Sequence, residues 1–273
     1  MPSKGTSLRD QLIVRPGSKV RMAQHDPGDT HGYRKETAAP KLDKDVERLA
    51  ALQERLWAEH QRRLLIVLQG MDASGKDGTV KHVMTGFHPL GCRVVGFGVP
   101  SEVELAHDYL WRVHQVVPGN GEVTIFNRSH YEDVLVVRVH DLVPKERWSK
   151  RYDQINAFEA TLAAEGTTIL KFMLNISPTE QLERFKDRYE DPTKRWKFKL
   201  GDLEERKRWD DYMAAYEDAL SRCSTDASPW FVIPADRKWF RDLAIADIVA
   251  DTLQRLDPRY PPMDDLPKNL VMT

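Results

Sequence analysis

The sequence predicts an α/β protein with a doubly wound parallel sheet of five strands. First, five short apolar runs occur along the chain, a composition typical of parallel strands that are covered on both faces. Second, helical patterns separate these runs, as in successive β-α-β units. Third, 273 residues suffice for one large domain or two small ones, and a hydrophobic content of 41% excludes a disordered chain.

Each strand is predicted from one apolar run, and the predicted strands are 64–70, 92–99, 122–127, 167–177 and 230–236. The helical patterns between and after them predict helices at 77–86, 101–117, 129–140, 145–164, 178–190, 203–222 and 238–256. A further helix is predicted to begin at Leu42, because apolar residues recur at three- and four-residue spacing from there to Leu56. Asp43 and Asp45 suit its first turn, where the helix dipole favours acids.

The ends of the chain are predicted to differ from its middle. Residues 1–40 are rich in Pro, Gly and polar side chains, which predicts an extended N-terminal arm. No linker composition divides the chain after residue 60, so 41–260 is predicted to be a single domain and 261–273 a C-terminal tail.

Charge and cysteine content exclude several classes of protein. The net charge of -1 gives no overall indication of a nucleic-acid partner, and none is expected. Only two cysteines occur, Cys92 and Cys223, which excludes a disulfide scaffold and fits a reducing cytoplasm. The sequence has neither an apolar run of the roughly 18 residues that a membrane helix needs nor an N-terminal signal sequence, so we expect a cytoplasmic protein without a membrane partner.

The segment 70–79, GMDASGKDGT, follows the first predicted strand and precedes a predicted helix. It matches the phosphate-binding loop pattern G-x-x-x-x-G-K. Gly70 and Gly75 allow the backbone to curl, so that the N–H groups of the loop, including those of Ala73 and Ser74, point at phosphate oxygens. The start of the helix adds its positive end, and Lys76 is predicted to reach the outer phosphates. The alternative is a glycine-rich turn with a surface lysine.

Two acids make this loop unusual. Asp77 stands after Lys76, where most such loops have a Ser or Thr that binds magnesium. Asp72 lies inside the loop, where it would repel phosphate unless a cation lay between them. We therefore predict that Asp72 holds Mg²⁺, directly or through water. The alternative is an Asx turn that stabilises the loop.

Three motifs occur in order along the chain, namely GMDASGKDGT at 70–79, FNRSHYED at 126–133 and RYEDPTKRWKFKLGD at 188–202. Together they resemble the second family of polyphosphate kinases, over about Leu42 to Tyr260. The second motif is most similar to the class III branch. This resemblance implies a P-loop kinase core with a mobile helical lid, Mg²⁺ or Mn²⁺ as cofactor, and assembly as a dimer or tetramer. It also implies phosphoryl transfer between inorganic polyphosphate and nucleotides, with both AMP and ADP as acceptors.

The second motif places four candidate side chains at the end of a predicted strand, where open α/β sheets bind ligands. Asn127 stands where many relatives have Asp, and a neutral amide makes direct metal binding doubtful, so it is predicted to contact the acceptor nucleotide. Arg128 is predicted to bind phosphate bidentately. Glu132 is predicted on the acceptor side, and Asp133 at the metal or phosphate site. The alternative is that Ser129 caps a helix and these acids serve its dipole.

The third motif is basic and is predicted to be a lid at about 184–209. Arg184 and Arg188 share a helix face, Pro192 and Gly201 interrupt the helical pattern, and the bases of the cluster between these two interruptions are Lys194, Arg195, Lys197 and Lys199. Such a lid would close over phosphate and exclude water. Arg188, Lys194, Arg195 and Lys197 are predicted polyphosphate contacts, and the resemblance adds Lys81. The alternative is a solvated basic surface.

The predicted function is a polyphosphate-dependent kinase that phosphorylates AMP and ADP reversibly. Adenine nucleotides are the expected acceptors, and guanine nucleotides are an open alternative. Two other functions remain open at this point. One is a P-loop kinase that uses ATP to phosphorylate a nucleotide or small molecule, since the loop does not specify the donor. The other is a protein that binds nucleotides or polyanions without catalysis, against which the presence of both Asp72 and Lys76 argues.

Overall fold

The computed structural model describes residues 7–262. Its sheet has five strands, β1 Arg63–Gln69, β2 Cys92–Gly96, β3 Val123–Asn127, β4 Thr167–Asn175 and β5 Trp230–Pro234. Their spatial order is β2-β3-β1-β4-β5, and every neighbouring pair is parallel. The predicted doubly wound parallel sheet is therefore confirmed. All five strands point the same way, so their carboxyl ends meet at one edge.

The sheet is covered on both faces, which explains its continuous apolar strands. Side chains alternate between faces, so Leu64, Ile66 and Leu68 of β1 belong to one core cluster, whereas Leu65 and Val67 belong to the other. All five are fully buried. A strand with apolar residues on both faces is stable between two helical layers. The strand order places β1 at the centre of the sheet, between β3 and β4.

The helices that form these layers lie near the predicted positions, but the predicted helices 101–117, 129–140, 145–164 and 203–222 are each divided in the structure. Over the described residues they are α1 Leu8–Leu12, α2 Lys35–Glu59, α3 Lys76–Val83, α4 Glu102–Leu105, α5 Trp111–His114, α6 Val136–Val139, α7 Lys145–Trp148, α8 Arg151–Ala164, α9 Pro178–Glu190, α10 Leu200–Lys207, α11 Trp209–Cys223 and α12 Lys238–Leu256. The predicted bounds of α9 and α12 are met. Residues 101–117 do not form the single continuous helix that was predicted. The chain turns between α4 and α5, where Leu110 N donates to Asp108 Oδ1.

The N-terminal segment corrects two predictions. α2 begins at Lys35, seven residues before the predicted start, and holds Pro40 within its second turn. The segment predicted to be extended also contains the short helix α1 and packs against the core. Leu8 and Leu12 pack into one core cluster and Val14 into the other, while Ile13 pairs antiparallel with Phe231 of β5. These buried apolar residues hold the arm around the edge of the sheet. Residues 1–6 of the predicted arm and 263–273 of the predicted tail lie outside the described residues.

The predicted lid region is also divided differently. α9 runs to Glu190, a 3₁₀ turn occupies Arg195–Lys197, and α10 starts at Leu200. Gly201 was predicted to interrupt the helical pattern, but it lies within α10. The break between helices lies instead at Asp191–Lys199. Within residues 7–262 no helix is long and apolar enough to cross a membrane.

Candidate active site

The phosphate-binding loop connects β1 to α3 at the carboxyl edge of the sheet. The backbone and its close neighbours require both glycines of the motif, Gly70 and Gly75. Gly70 has φ +151°, and a Cβ there would lie 2.7 Å from the carbonyl oxygen of Leu174. Gly75 has φ +110°, and a Cβ there would lie 1.7 Å from Arg241 Nη1. The loop is therefore closely packed by its surroundings, and its predicted strand-loop-helix context is confirmed.

Lys76 lies under the loop as the first residue of α3. Its Nζ donates to the carbonyl oxygens of Gly70, at 2.7 Å, and Met71, at 3.3 Å. Burial, assisted by the nearby Arg128 guanidinium, lowers the pKa of Lys76 to about 8. A negatively charged ligand at the loop would stabilise the protonated form, so this ammonium is well placed to bind phosphate.

Two arginines from distant segments hold the loop in shape, and sequence reasoning did not assign them this role. Arg184 Nη1 donates to the carbonyl oxygens of Ala73, at 2.9 Å, and Ser74, at 3.0 Å. Arg241 Nη1 approaches the Ser74 carbonyl oxygen at 3.5 Å. Both are almost fully buried. Arg184 therefore supports the loop and does not belong to the lid face on which it was predicted with Arg188.

Arg128 stands between two carboxylates at the end of β3. Its Nη2 donates to Asp72 Oδ1 at 2.7 Å, and its Nη1 lies 3.8 Å from Glu132 Oε2. Arg128 adopts φ +63°, a left-handed conformation that is costly for a residue with a Cβ. Burial raises the pKa of Glu132, an effect that Arg128 opposes. The structure thus brings together three of the predicted site residues.

Asn127 is placed directly beside the loop, as predicted. Its Nδ2 donates to Asp77 Oδ1 at 2.7 Å, so the amide holds the residue that follows Lys76. Lys197 of the predicted lid lies 4.0 Å from the other oxygen of Asp77. Asp77 therefore connects the strand end, the first turn of α3 and the lid.

A cavity of about 820 Å³ opens over the loop and is strongly basic. Among the described residues, nine basic and five acidic side chains line it. The lid contributes Arg188, Lys194, Lys197 and Lys199, and α12 adds Lys238 and Arg241. This local excess of positive charge contrasts with the net charge of -1 of the whole chain. Such a surface attracts and concentrates anions.

Two of the basic side chains predicted to contact phosphate do not line this cavity. Arg195 Nε donates to the carbonyl oxygen of Tyr189, and its guanidinium lies over the Tyr189 ring. Lys81 is exposed on the last turn of α3, and His82 beside it lines the cavity instead. One helical position corresponds to a rotation of about 100°, so neighbouring residues point to different surroundings.

The acids predicted to bind metal are separated. Asp72 lines the P-loop cavity, whereas Asp133 is almost buried and pairs with Arg151 Nη1 at 2.8 Å in a neighbouring cavity. This corrects the prediction of Asp133 at the loop. The segment His130–Asp133 is a 3₁₀ turn, in which adjacent side chains diverge by about 120°, so Glu132 approaches Arg128 while Asp133 points to α8.

The donor set around Asp72 includes a carboxylate that was not predicted. Asp202 of α10 lines the same cavity, and burial together with the negative charge of Asp72 raises the pKa of Asp202. Within residues 7–262 no group of three or more His, Cys, Asp or Glu side chains could by itself hold a metal ion. Mg²⁺ often takes only one or two protein carboxylates and completes its shell with phosphate and water, and this arrangement fits that pattern.

A buried polar network lies beneath the turn that carries Arg128, and sequence reasoning missed it. Lys171 of β4 is fully buried and donates to Glu159 Oε2 at 2.5 Å and to the Tyr131 hydroxyl at 2.8 Å. His130 Nε2 lies 3.1 Å from Glu159 Oε1. These contacts fix the start of the 3₁₀ turn, and therefore the direction in which Glu132 and Asp133 point.

Comparison with known proteins gives a consistent result. The family model "Polyphosphate kinase 2" matches residues 32–261. The chain is 51% identical to the AMP/ADP-polyphosphate phosphotransferase of Meiothermus ruber, over 95% of this chain and 98% of the relative. It is 45% identical to the ADP-polyphosphate phosphotransferase of Rhodopseudomonas palustris, over 92% of this chain and 91% of the relative.

The structure is similar to a solved one. The crystal structure of polyphosphate kinase 2 from Arthrobacter aurescens TC1 superimposes with a TM-score of 0.91 at 43% sequence identity. The match covers 95% of this chain and 93% of the crystallised chain. The likeness therefore extends over the sheet, the loop and the lid together.

Proposed function

The chain belongs to the polyphosphate kinase 2 family, and from this premise we propose that it transfers phosphoryl groups from inorganic polyphosphate to AMP and ADP. The observation that carries the proposal is the basic cavity over the P-loop. A nucleoside triphosphate donor needs only a few basic side chains to bind its three phosphates. A long phosphate chain needs a row of basic side chains along its length. Lys197, Lys199 and Lys238 extend such a path beyond Lys76.

Phosphoryl transfer needs positioning and charge neutralisation more than covalent chemistry from the protein. In this proposal the N–H groups of the loop and the start of α3 hold the terminal donor phosphates. Lys76 shifts from the Gly70 carbonyl to the phosphate oxygens, where its charge offsets the charge that develops during transfer. Arg128 holds the acceptor phosphate in line, with its own position fixed by Asp72 and Glu132.

We propose that Asp72 holds Mg²⁺ or Mn²⁺, and that Asp202, which lines the same cavity, assists through water. The like charges of Asp72 and Asp202 face one cavity, and a divalent cation would relieve their repulsion. When bound, the ion supplies electrostatic neutralisation of the transferring group. Asp133 is not part of this proposal, because it lines a different cavity from Asp72 and Asp202.

One assay separates this function from the alternatives. The protein is mixed with ADP, Mg²⁺ and long-chain polyphosphate, and ATP formation is measured. ATP formation supports the proposal. Transfer from ATP to a nucleotide or small molecule without any use of polyphosphate would instead indicate an ATP-dependent kinase. Nucleotide binding with no turnover from either donor would indicate a binding protein. AMP, GMP and GDP in the same assay test the choice of base.

We also propose a homo-oligomer, either a dimer or a tetramer. Exposed apolar side chains lie before, along and after the edge strand β2, including Leu90, Val94 and Val103. Burial of such residues against a second copy would remove them from water. Light scattering coupled to size-exclusion chromatography measures the mass directly, and a monomer at micromolar concentration would contradict this proposal.

The lid should bind polyphosphate through charge. We expect Lys194→Gln with Lys197→Gln to raise KM for polyphosphate about tenfold or more, because each substitution removes a charge-assisted contact. By analogy with nucleic acids, the salt dependence of KM should also become flatter by about one unit per lost contact. Steady-state rates at several salt concentrations measure both effects.

Lys207→Gln is the matched control, since Lys207 lies on α10, pairs with Glu204 and does not line the cavity. It should leave KM and the salt slope unchanged. If the double lid variant also leaves both unchanged, the lid lysines form a solvated surface.

Acceptor choice should depend on Asn127. Asn127→Asp places a second carboxylate against Asp77, where a 2.7 Å hydrogen bond now exists. We expect kcat/KM for AMP to fall about tenfold more than kcat/KM for ADP, because the AMP phosphate must approach this added charge more closely to reach the donor. The two constants are measured with saturating polyphosphate.

The double variant Asn127→Asp with Asp77→Asn is the control for loop distortion. It restores an amide–carboxylate pair but leaves the negative charge on the strand. A retained AMP defect in the double variant supports the role in acceptor choice. Equal losses of both activities in the single variant would mean that Asn127 supports the loop and does not select the acceptor.

A further inference from the structure

The turn that follows β3 is exposed to the site on one side and buried on the other. Arg128 lines the P-loop cavity, whereas the side chains of His130 and Tyr131, two and three residues further on, are fully buried. Arg128 also has a left-handed φ of +63°. A residue with a Cβ keeps such a conformation only where the surrounding structure enforces it. The buried side chains of the turn are therefore candidates for that constraint.

A buried ion pair binds both of these side chains. Glu159 of α8 and Lys171 of β4 are fully buried and lie 2.5 Å apart, from Oε2 to Nζ. The Tyr131 hydroxyl accepts from Lys171 Nζ at 2.8 Å and donates to Glu159 Oε1 at 2.9 Å. His130 Nε2 lies 3.1 Å from the same carboxylate oxygen. Two consecutive residues of the turn are thus attached to one pair of charges.

The pair is charged and is itself held by neighbouring segments. Burial opposes ionisation of Glu159, but the Lys171 ammonium outweighs it and lowers the pKa of Glu159 to about 2. An ionised carboxylate only accepts, so His130 Nε2 carries the proton that it shares with Glu159. Lys171 also donates to the carbonyl oxygen of Cys223 at 2.6 Å, and the Ser228 hydroxyl donates to Glu159 Oε2 at 2.8 Å. The anchor of the turn therefore has little freedom to move.

Stability alone does not account for a charged pair at this place. Replacing a buried ion pair by apolar residues of similar size often leaves stability unchanged or raises it, because both charges had to be removed from water. Ile169 and Met173, on the same face of β4 as Lys171, belong to an apolar core cluster. An apolar residue at position 171 would match these neighbours. A fully bonded polar network instead provides directional contacts, which select one orientation of the turn.

We propose that Glu159 and Lys171 are positioning residues for phosphoryl transfer, which hold the turn after β3 so that Arg128 stays directed at the acceptor phosphate. This inference rests on the proposed function, because it supplies the support for the arginine that the proposed function assigns to the acceptor. Neither Glu159 nor Lys171 lines the P-loop cavity, so both act through Arg128. The donor phosphates are held by the loop and Lys76. A disturbed turn should therefore affect the acceptor and spare polyphosphate.

The main variant replaces the pair by apolar residues, Glu159→Leu with Lys171→Met. We expect kcat/KM for ADP at saturating polyphosphate to fall about 10- to 100-fold, the scale of loss that a small misplacement of a catalytic group causes. KM for polyphosphate should stay within about twofold of the wild-type value, since the donor site is intact. The melting temperature should change by only a few degrees, because the apolar pair replaces the charges without leaving either one unpaired.

Tyr131→Phe is a second variant, which removes only the hydroxyl that joins the turn to the ion pair. It should lower kcat/KM for ADP about three- to tenfold, the usual effect of one buried hydrogen bond. It also keeps the test decisive if the double variant does not fold. Ser228→Ala is the matched control, because the Ser228 hydroxyl donates to the same Glu159 but does not belong to the turn. It should keep kcat/KM for ADP within about twofold of the wild-type value.

The same substitutions in an Arg128→Ala background show whether the pair acts through Arg128. With the positioned side chain absent, neither the apolar pair nor Tyr131→Phe should cause a further loss of kcat/KM for ADP. A merely structural role would give the same fold-loss in both backgrounds. Such a result overturns the inference, as does a wild-type kcat/KM for ADP in Tyr131→Phe, an equal effect on KM for polyphosphate, or a loss in Ser228→Ala as large as that in Tyr131→Phe.

Calorimetric binding of ADP separates this inference from the proposed function. If the wild-type protein transfers no phosphoryl group from polyphosphate, the proposed function fails. Weaker ADP binding by Tyr131→Phe, seen only where Arg128 is present, would still support the positioning role. Unchanged ADP binding by Tyr131→Phe in that case would overturn it.

Discussion

Lys76→Ala should lower kcat for ATP formation from polyphosphate and ADP by about 10²- to 10³-fold, the usual cost of removing one group that stabilises transition-state charge. No other lysine in the described part of the chain lies under the loop carbonyls, and Lys76 Nζ is bonded to two of them. Rates at saturating polyphosphate and ADP measure the effect. A kcat within threefold of the wild-type value would remove Lys76 from the transition state.

The same substitution should cost little stability. The pKa of Lys76 is lowered from 10.5 to about 8, so between these values the unfolded chain binds more protons and stability rises with pH. At neutral pH the buried ammonium of Lys76 therefore lowers the free energy of unfolding. Removing this charge offsets the loss of the two hydrogen bonds that Lys76 donates. An unchanged melting temperature, together with the loss of kcat, separates catalysis from folding.

The lowered pKa also predicts a pH profile. Only the protonated ammonium binds phosphate well, so kcat/KM for polyphosphate should fall above pH about 8, whereas kcat should fall only at higher pH because bound phosphate raises the pKa of Lys76 again. A kcat/KM that stays constant to pH 9.5 would show that Lys76 does not titrate in this range in the free protein.

Asp72→Asn should lower kcat by about 10²-fold or more at limiting Mg²⁺, although the amide preserves the size of the side chain. The lost charge weakens binding of the cation. It also weakens the hydrogen bond that Arg128 Nη2 now donates to Asp72 Oδ1 at 2.7 Å, because the amide oxygen of Asn accepts without a charge. The dependence of rate on Mg²⁺ concentration should shift to higher values. Mn²⁺ binding, measured by electron paramagnetic resonance with tripolyphosphate present, gives a readout independent of turnover.

Glu183→Gln is the control for loss of one carboxylate, because Glu183 is exposed on α9 and pairs only with Lys186 among the described residues. It should leave both the rate and the Mn²⁺ affinity unchanged. Near-normal turnover of Asp72→Asn at limiting Mg²⁺, with unchanged Mn²⁺ binding, would remove the metal role of Asp72. Restored turnover at high Mg²⁺ alone would indicate that the loss acts through metal affinity.

The features that sequence reasoning identified correctly depend on local interactions. An apolar run with helices on both sides identifies a buried parallel strand, and all five strands are found. The P-loop is contiguous, so its glycines, its lysine and the helix that follows could be recognised together. Asn127 and Arg128 were placed correctly because the carboxyl end of β3 must meet that of β1 at the same edge, and the two strands pair in parallel.

The errors concern the direction of single side chains and the bounds of irregular segments. Asp133 is adjacent to Glu132, yet the 3₁₀ turn directs the two carboxylates to different cavities. Arg195 lies between two lysines that reach the P-loop cavity, but it binds the Tyr189 carbonyl. A motif in the sequence predicts which residue types assemble, whereas the backbone geometry of each turn decides which of them face the ligand.

The sequence alone determined the fold class, the phosphate-binding loop and the family, since each is encoded in contiguous segments or in the order of such segments. Only the tertiary structure showed that Arg184 and Arg241 hold the loop, from more than 100 positions further along the chain. The order β2-β3-β1-β4-β5 brings the segments after β4 and β5 beside the loop that follows β1. Such contacts form between segments that are distant in sequence and are buried together in the fold. The local periodicity of the sequence therefore cannot predict them.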